Sequence, residues 1–312
     1  MSILRLNATS DGLELHGSAG APGWAIRRAA RGTGPMIVLV HGYKYDPARP
    51  AHNPHSTIFA AANHATRADY KHWPRHLGFG LGNDAEGLAV AFGWRARGTL
   101  WQAQRRAVSA GRHLARAIRL LHKAAPHRPV HVITHSMGSE VAFEALQSLP
   151  EGVVGRLITL TGASYRSRAE TAMRSPAGRT AELINVVTRE NDIFDLMYER
   201  LVAPPRRHDT VIGAGLDLPN AVTLQLDCPA TLLRLEAFGA HIAKPARRIC
   251  HWSGYARPGA LRFYKRLLRQ PGRLSLSDLQ NALPRQQSPR WSRLVSFPRG
   301  NRPLPSFEKA TS

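Results

Sequence analysis

Between Pro129 and Gly138 the chain reads P-V-H-V-I-T-H-S-M-G, an apolar strand that stops at a serine. It gives way at once to a helical stretch, Ser139-Glu-Val-Ala-Phe-Glu-Ala-Leu146. With no spacer between the two elements, the serine must sit in a sharp turn where strand and helix nearly touch, and small residues are needed around it. The strand itself is apolar throughout rather than alternating, as expected for one buried on both faces of a parallel sheet. Met36-Ile-Val-Leu-Val40 and Leu88-Ala-Val-Ala-Phe-Gly93 have the same character. The segments 155–161, 183–188 and 221–226 extend the series. Strands alternating with helices predict a mostly parallel sheet built from right-handed crossovers, about eight strands in all, with the serine after the fifth.

The longest helical pattern runs from about Leu100 to Lys123, with Val108, Gly111, Leu114, Ala115, Ile118 and Leu121 on one face and arginines mostly on the other. At the N-terminus, segments 3–6, 13–16 and 24–28 are separated by Asp11-Gly12 and by a stretch rich in Gly, Ala and Pro, which predicts an antiparallel hairpin or meander. A length of 312 residues with 43% apolar content suffices for one large domain with a full core. The expected organisation is a domain over residues 1–270, a long insertion at 43–83 rich in His and aromatic residues, and a basic, proline-rich tail at 271–312 expected to be extended or disordered. His52, His55, His64, Tyr70, His72, Trp73 and His76 fall in the insertion, which is expected to wall the substrate side.

No run approaches the ~20 apolar residues of a membrane span, and the first residues lack the pattern of a secretory leader. Cys228 and Cys250 form no framework or metal-ligand spacing and suit a reducing, cytoplasmic setting. The 43 basic residues against 21 acidic ones give a formal charge of +22. That balance predicts a weak, salt-screened attraction to anionic membranes or polymers. The arginines are spread along the chain and no nucleic-acid-binding motif accompanies them, so charge alone names no partner.

Thr134-His135-Ser136-Met137-Gly138 resembles the G-x-S-x-G nucleophile elbow of the α/β-hydrolase superfamily, in particular its esterase and lipase branches, with Thr134 in place of the first glycine. The resemblance covers roughly residues 3–270. It implies a chain order of Ser, then Asp or Glu, then His, so that a carboxylate orients the base that takes the serine proton. Ser136 is then the nucleophile. In Asn185-Val-Val-Thr-Arg-Glu-Asn-Asp192 the favoured acid is Asp192, just beyond the second strand after the elbow, with Asp195 the alternative and Glu190 a third. Asp192 is also a natural cap for a helix beginning at Ile193. The favoured base is His251, in a loop before the helical run to Gln270, with His241 the alternative. His135, adjacent to Ser136, is expected to point away. Val40-His41-Gly42-Tyr43 resembles the turn after the third strand that supplies one oxyanion donor, which implies the N–H groups of Tyr43 and Met137.

The expected activity is cleavage of a small-molecule or lipid-like carboxylic ester through an acyl-enzyme, with water as second acceptor and no cofactor. A thioesterase, amidase or interfacial lipase shares the same triad, and a catalytically silent binding protein is a further alternative. A three-His metal site at His52, His55 and His64 lacks a completing ligand. The glycines of Phe79-Gly80-Leu81-Gly82-Asn83 follow no strand. Leu261, Tyr264, Leu267 and Leu268 form an apolar stripe opposite Arg262, Lys265, Arg266 and Arg269, expected to pack on the sheet rather than on a membrane.

Overall fold

A computed structural model describes residues 2–60, 72–82, 84–284 and 288–294. The strands are β1 (Ile3–Ala8), β2 (Leu13–Leu15), β3 (Met36–Val40), β4 (Leu88–Trp94), β5 (Val130–His135), β6 (Val154–Leu160), β7 (Glu182–Val187) and β8 (Ala221–Gln225). They form one eight-stranded sheet in the order β2-β1-β4-β3-β5-β6-β7-β8, parallel except for the β1–β2 hairpin. The helices are α1 (Pro22–Ala29), α2 (Trp73–His76), α3 (Leu100–Ala124), α4 (Gly138–Gln147), α5 (Arg166–Met173), α6 (Pro176–Thr180), α7 (Asp192–Leu201), α8 (Pro229–Ala237), α9 (Ser253–Ala256), α10 (Ala260–Arg269), α11 (Leu276–Ala282) and α12 (Trp291–Leu294).

Period-two geometry divides the core into two layers. On β3, Met36, Val38 and Val40 face a cluster that takes in α1, α3, α4 and α5, while Ile37 and Leu39 face one built with α2, α10 and α11. A one-residue slip would move each set to the opposite layer, so burial on both faces fixes register firmly. Val40 pairs with Phe92 on one side and Thr134 on the other, and His135 pairs with Leu160. The carboxyl ends of β3, β4, β5 and β6 are therefore level, and the loops that leave them share one edge.

Three expectations change. Segment 24–28 lies in α1, not in a strand: Pro22 occupies the first turn, where its fixed φ favours a helix, and Ile26 is buried against the core. Much of the supposed tail is folded. A capping box between Ser275 and Asp278 opens α11, and Leu274, Leu276, Leu279 and Leu283 are buried in the second core layer. Residues 295–312 lie outside the described residues. The insertion is only partly a substrate wall, because Ile58, Phe59, Trp73, Leu77 and Phe79 are core side chains; His64 and Tyr70 fall outside the described residues. The stripe on α10 packs inside as expected, with Leu261, Tyr264, Leu267 and Leu268 all buried.

Candidate active site

Ser136 is one of few non-glycine residues with a left-handed backbone, at φ 53°. A β-strand entering and a helix leaving at the same residue forces that conformation, and such strain persists only where the surroundings over-determine it. Here its N–H donates to the Leu160 carbonyl (3.1 Å) and its carbonyl accepts from Ala163 N–H (3.0 Å) and Ser139 N–H (3.0 Å). Crowding explains the glycines. A Cβ on Gly138 would lie 2.7 Å from the His41 carbonyl oxygen, and one on Gly42 would lie 2.6 Å from Ser136 Cβ. Thr134 is tolerated because its buried side chain meets the first turn of α4, Oγ1 lying 3.1 Å from Ser139 Oγ.

The turn after β3 is held by His41. Its Nε2 accepts the Trp94 backbone N–H (3.0 Å), so Nδ1 carries the proton and donates to the Gly42 carbonyl (2.9 Å). Trp94 Nε1–H returns a bond to the His41 carbonyl (3.0 Å). Burial keeps the His41 ring neutral, lowering its pKa to about 3. The clamp leaves Gly42 against the elbow. Among the described residues, neither the Tyr43 nor the Met137 N–H donates to a backbone carbonyl, the condition expected of two donors kept for a ligand oxygen.

Ser136, Met137, Tyr43 and His251 line one cavity of about 600 Å³ at the carboxyl edge. His251 lies in the loop before α9. Its carbonyl accepts from Thr161 Oγ1 (3.1 Å) and from His135 Nε2–H (3.1 Å), and the adjacent Cys250 N–H donates to the Glu190 carbonyl (2.8 Å). Burial holds the His251 ring well below the usual imidazole range, with His135 and Lys44 adding to the effect. His241, by contrast, is exposed and lies against Glu236 (3.2 Å) outside the cavity lining.

The acid differs from expectation. His251 Nδ1–H donates to Asn191 Oδ1 (2.6 Å), and Asn191 Nδ2–H donates to Asp195 Oδ1 (3.0 Å). This pair fixes the amide orientation and leaves His251 Nε2 with its lone pair free for a proton. Asp192 is turned elsewhere. Its carboxylate accepts from Arg290 Nε (2.6 Å), Ser292 N–H (2.7 Å) and Ser292 Oγ (2.6 Å), and opens α7. Although burial raises its pKa, those Ser292 and Arg290 contacts outweigh it and keep Asp192 below the ordinary carboxylate range. Asp195 is fully buried, and desolvation pushes it up to about 7 despite Arg290 nearby. Glu190 pairs with Arg257. No carboxylate contacts the His251 ring among the described residues.

His135 also departs from expectation. Its ring lines the cavity and packs against His251, with centroids 4.6 Å apart, and burial lowers its pKa to about 4. Strand alternation gave the wrong side because the chain bends at the elbow one residue later. Asn191 carries no charge, so a pattern that seeks a carboxylate does not select it, although it stands one residue before Asp192. Among the described residues no three His, Cys, Asp or Glu side chains are arranged to hold a metal ion, and no described helix is long and apolar enough to cross a membrane.

A mostly parallel eight-stranded sheet with a left-handed serine between β5 and α4 defines the α/β-hydrolase fold, and the chain adopts it. Within it, residues 25–156 match a family described as an alpha/beta hydrolase of unknown function (DUF900). Two solved structures of the phospholipase PlaB from Legionella pneumophila are similar at a low level. The one in complex with thio-NAD has TM-score 0.30 and 13% identity, over 52% of this chain and 40% of that one. The other has TM-score 0.26 and 12% identity, over 52% and 41%. The chain thus spans about 40% of PlaB's length, and likeness that slight is silent on substrate. No curated protein matches the chain.

Proposed function

We propose that the protein is a serine hydrolase that cleaves carboxylic esters with an apolar acyl group. Ser136 Oγ attacks the ester carbonyl while His251 Nε2 takes its proton, and the N–H groups of Tyr43 and Met137 receive the developing oxyanion. His251 then protonates the departing alkoxide, and a water deprotonated by the same ring releases the acid and restores Ser136. Asn191, not Asp192, keeps the ring in the tautomer that presents Nε2. The observation that carries this reading is the strained Ser136 in one cavity with a neutral His251 pinned at Nδ1. The side chains of Leu100, Phe194, Met197, Leu201 and Trp252 supply an apolar lining suited to an acyl chain.

A fluorophosphonate probe tests it: phosphonylation of Ser136 with loss of fluoride is expected in the wild type and not in Ser136→Ala. A folded wild type that resists labelling sinks the proposal. A second reading, a binding protein without turnover, draws on the neutral amide at His251 Nδ1, where a carboxylate would stabilise the imidazolium better. Labelling without hydrolysis across a panel of acyl esters of graded length would favour it. Thioesters and amides in the same panel separate the related activities.

A further inference from the structure

Large apolar side chains that face water gather at the mouth of this cavity. Met197, Leu201 and Trp252 line it. Trp101 on α3 joins them through Nε1–H to the Leu201 carbonyl (2.6 Å), and Ile193 lies one turn before Met197 on α7. Each of the five is 43–53% exposed. On α7 the exposed positions 193, 197 and 201 recur every four residues, so one apolar face of the helix is left uncovered among the described residues. A patch of this kind beside a cavity marks a surface that meets something apolar.

The charge around it identifies what. In segments 43–60, 94–106, 190–209 and 241–257, which form the cavity or flank it, no carboxylate is exposed. Asp46, Glu190, Asp192 and Asp195 are buried, and Glu199 and Asp209 are half-buried. The exposed charges of those segments are all basic, among them Lys44 in the cavity lining, Arg105 one turn beyond Trp101, and Arg200 beside Leu201. Apolar side chains surrounded by cations fit the boundary of an anionic bilayer, where acyl chains receive the former and lipid headgroups the latter. A partner protein with an apolar surface would not by itself call for a rim of one sign.

We propose that this face docks on an anionic lipid surface with the cavity mouth turned toward the bilayer. The inference deepens the reading of the cavity as an acyl-ester site, since an ester would then enter from the lipid phase without crossing water. Docking itself does not depend on Ser136. The test is flotation of the full chain with phosphatidylcholine vesicles and with vesicles enriched in phosphatidylglycerol, for the wild type, Met197→Asp, Trp252→Asp and Leu233→Asp. Leu233 is exposed on α8 outside the cavity lining and controls for the added charge. Binding to the anionic vesicles is expected, weakened roughly tenfold or more by either substitution at the mouth and little by Leu233→Asp.

Equal losses in all three variants would mean unoriented adsorption of a basic protein and would overturn the proposal. So would absence of vesicle binding, or a concentration-dependent dimer that Met197→Asp dissociates, which would assign the face to a second copy. Vesicle binding by a protein that resists the fluorophosphonate would sink the hydrolase reading and leave docking intact.

Discussion

An amide stands where a carboxylate was expected, and its chemistry sets what His251 can do. Asn191 Oδ1 holds Nδ1–H at 2.6 Å but brings no charge to the imidazolium, so the ring gains orientation more than electrostatic support. Asp195 fixes the amide from behind (3.0 Å). Asn191→Ala is therefore expected to lower kcat/KM on an acyl ester by about 10²-fold, within the usual range for misplacing a general base. Asp192→Asn, which leaves His251 untouched, should change kcat/KM far less, and steady-state kinetics of the pair decides between the two residues. The lowered pKa of His251 keeps its base form available below the ordinary imidazole range. The acid limb of the rate profile should accordingly fall below pH 6.5, the unperturbed imidazole value, wherever the fold survives.

Two elements hold the site rigidly, the turn after β3 and the elbow after β5, and they approach each other too closely for a Cβ. In Gly42→Ala the new atom would meet Ser136 Cβ at 2.6 Å and the His135 carbonyl oxygen at 2.8 Å, neither the free end of a flexible chain. The turn carrying the Tyr43 N–H must shift. A loss equivalent to one oxyanion donor, about 3 kcal/mol or 10²-fold in kcat, is expected in an ester assay, with circular dichroism confirming a folded protein. A third element acts at a distance. The segment at 288–292 lies along α7, where Arg290 and Ser292 hold Asp192 and the Gln225 side chain clasps the Ser288 backbone. Arg290→Ala leaves the buried Asp192 short of its counter-charge, and the loss is expected to cost about 3 kcal/mol in urea unfolding. Since α7 carries Asp195 and follows Asn191, activity should fall with it.

Over the whole molecule, buried neutral imidazoles govern the response to acid. Burial lowers His41 to about 3, His131 and His135 to about 4, and holds His55 and His251 well below the ordinary range. Each has a folded pKa below its unfolded one, so its contribution is complete above about pH 6.5 and is lost as pH falls through the folded value. Asp195 has the opposite sign. Raised to about 7, it contributes stability at acid pH that is lost as pH rises through 7. Glu140, also raised by burial, shares the sign of Asp195, and these five imidazoles outweigh the two carboxyls. The melting temperature should drop steeply below about pH 6, where unfolded histidine takes up protons, and unfolding there should bind several protons. Asp195→Asn should make the drop steeper, because it removes one of the opposing contributions; calorimetry against pH reads both effects.

Local pattern determined the scaffold. Uninterrupted apolar runs at 36–40, 88–93 and 130–134 specified buried parallel strands, and the strand–serine–helix junction placed Ser136, because both signals depend on neighbours in sequence. Segment 24–28 is too short for its apolar pattern to separate helix from strand, and Pro22 in the first turn is the better signal for the helix. The folded part of the C-terminal region was signalled by its capping box at Ser275, but its leucines gain their role only against β8. What faces His251 was decided by tertiary structure alone. Asn191, Asp192 and Asp195 lie within one helical turn, and sequence ranks them by charge. Which one reaches the imidazole depends on how α7 leaves β7 and on Arg290, roughly a hundred residues away, drawing Asp192 aside. A hydrogen bond is formed in space, and no pattern of neighbours along the chain encodes that choice.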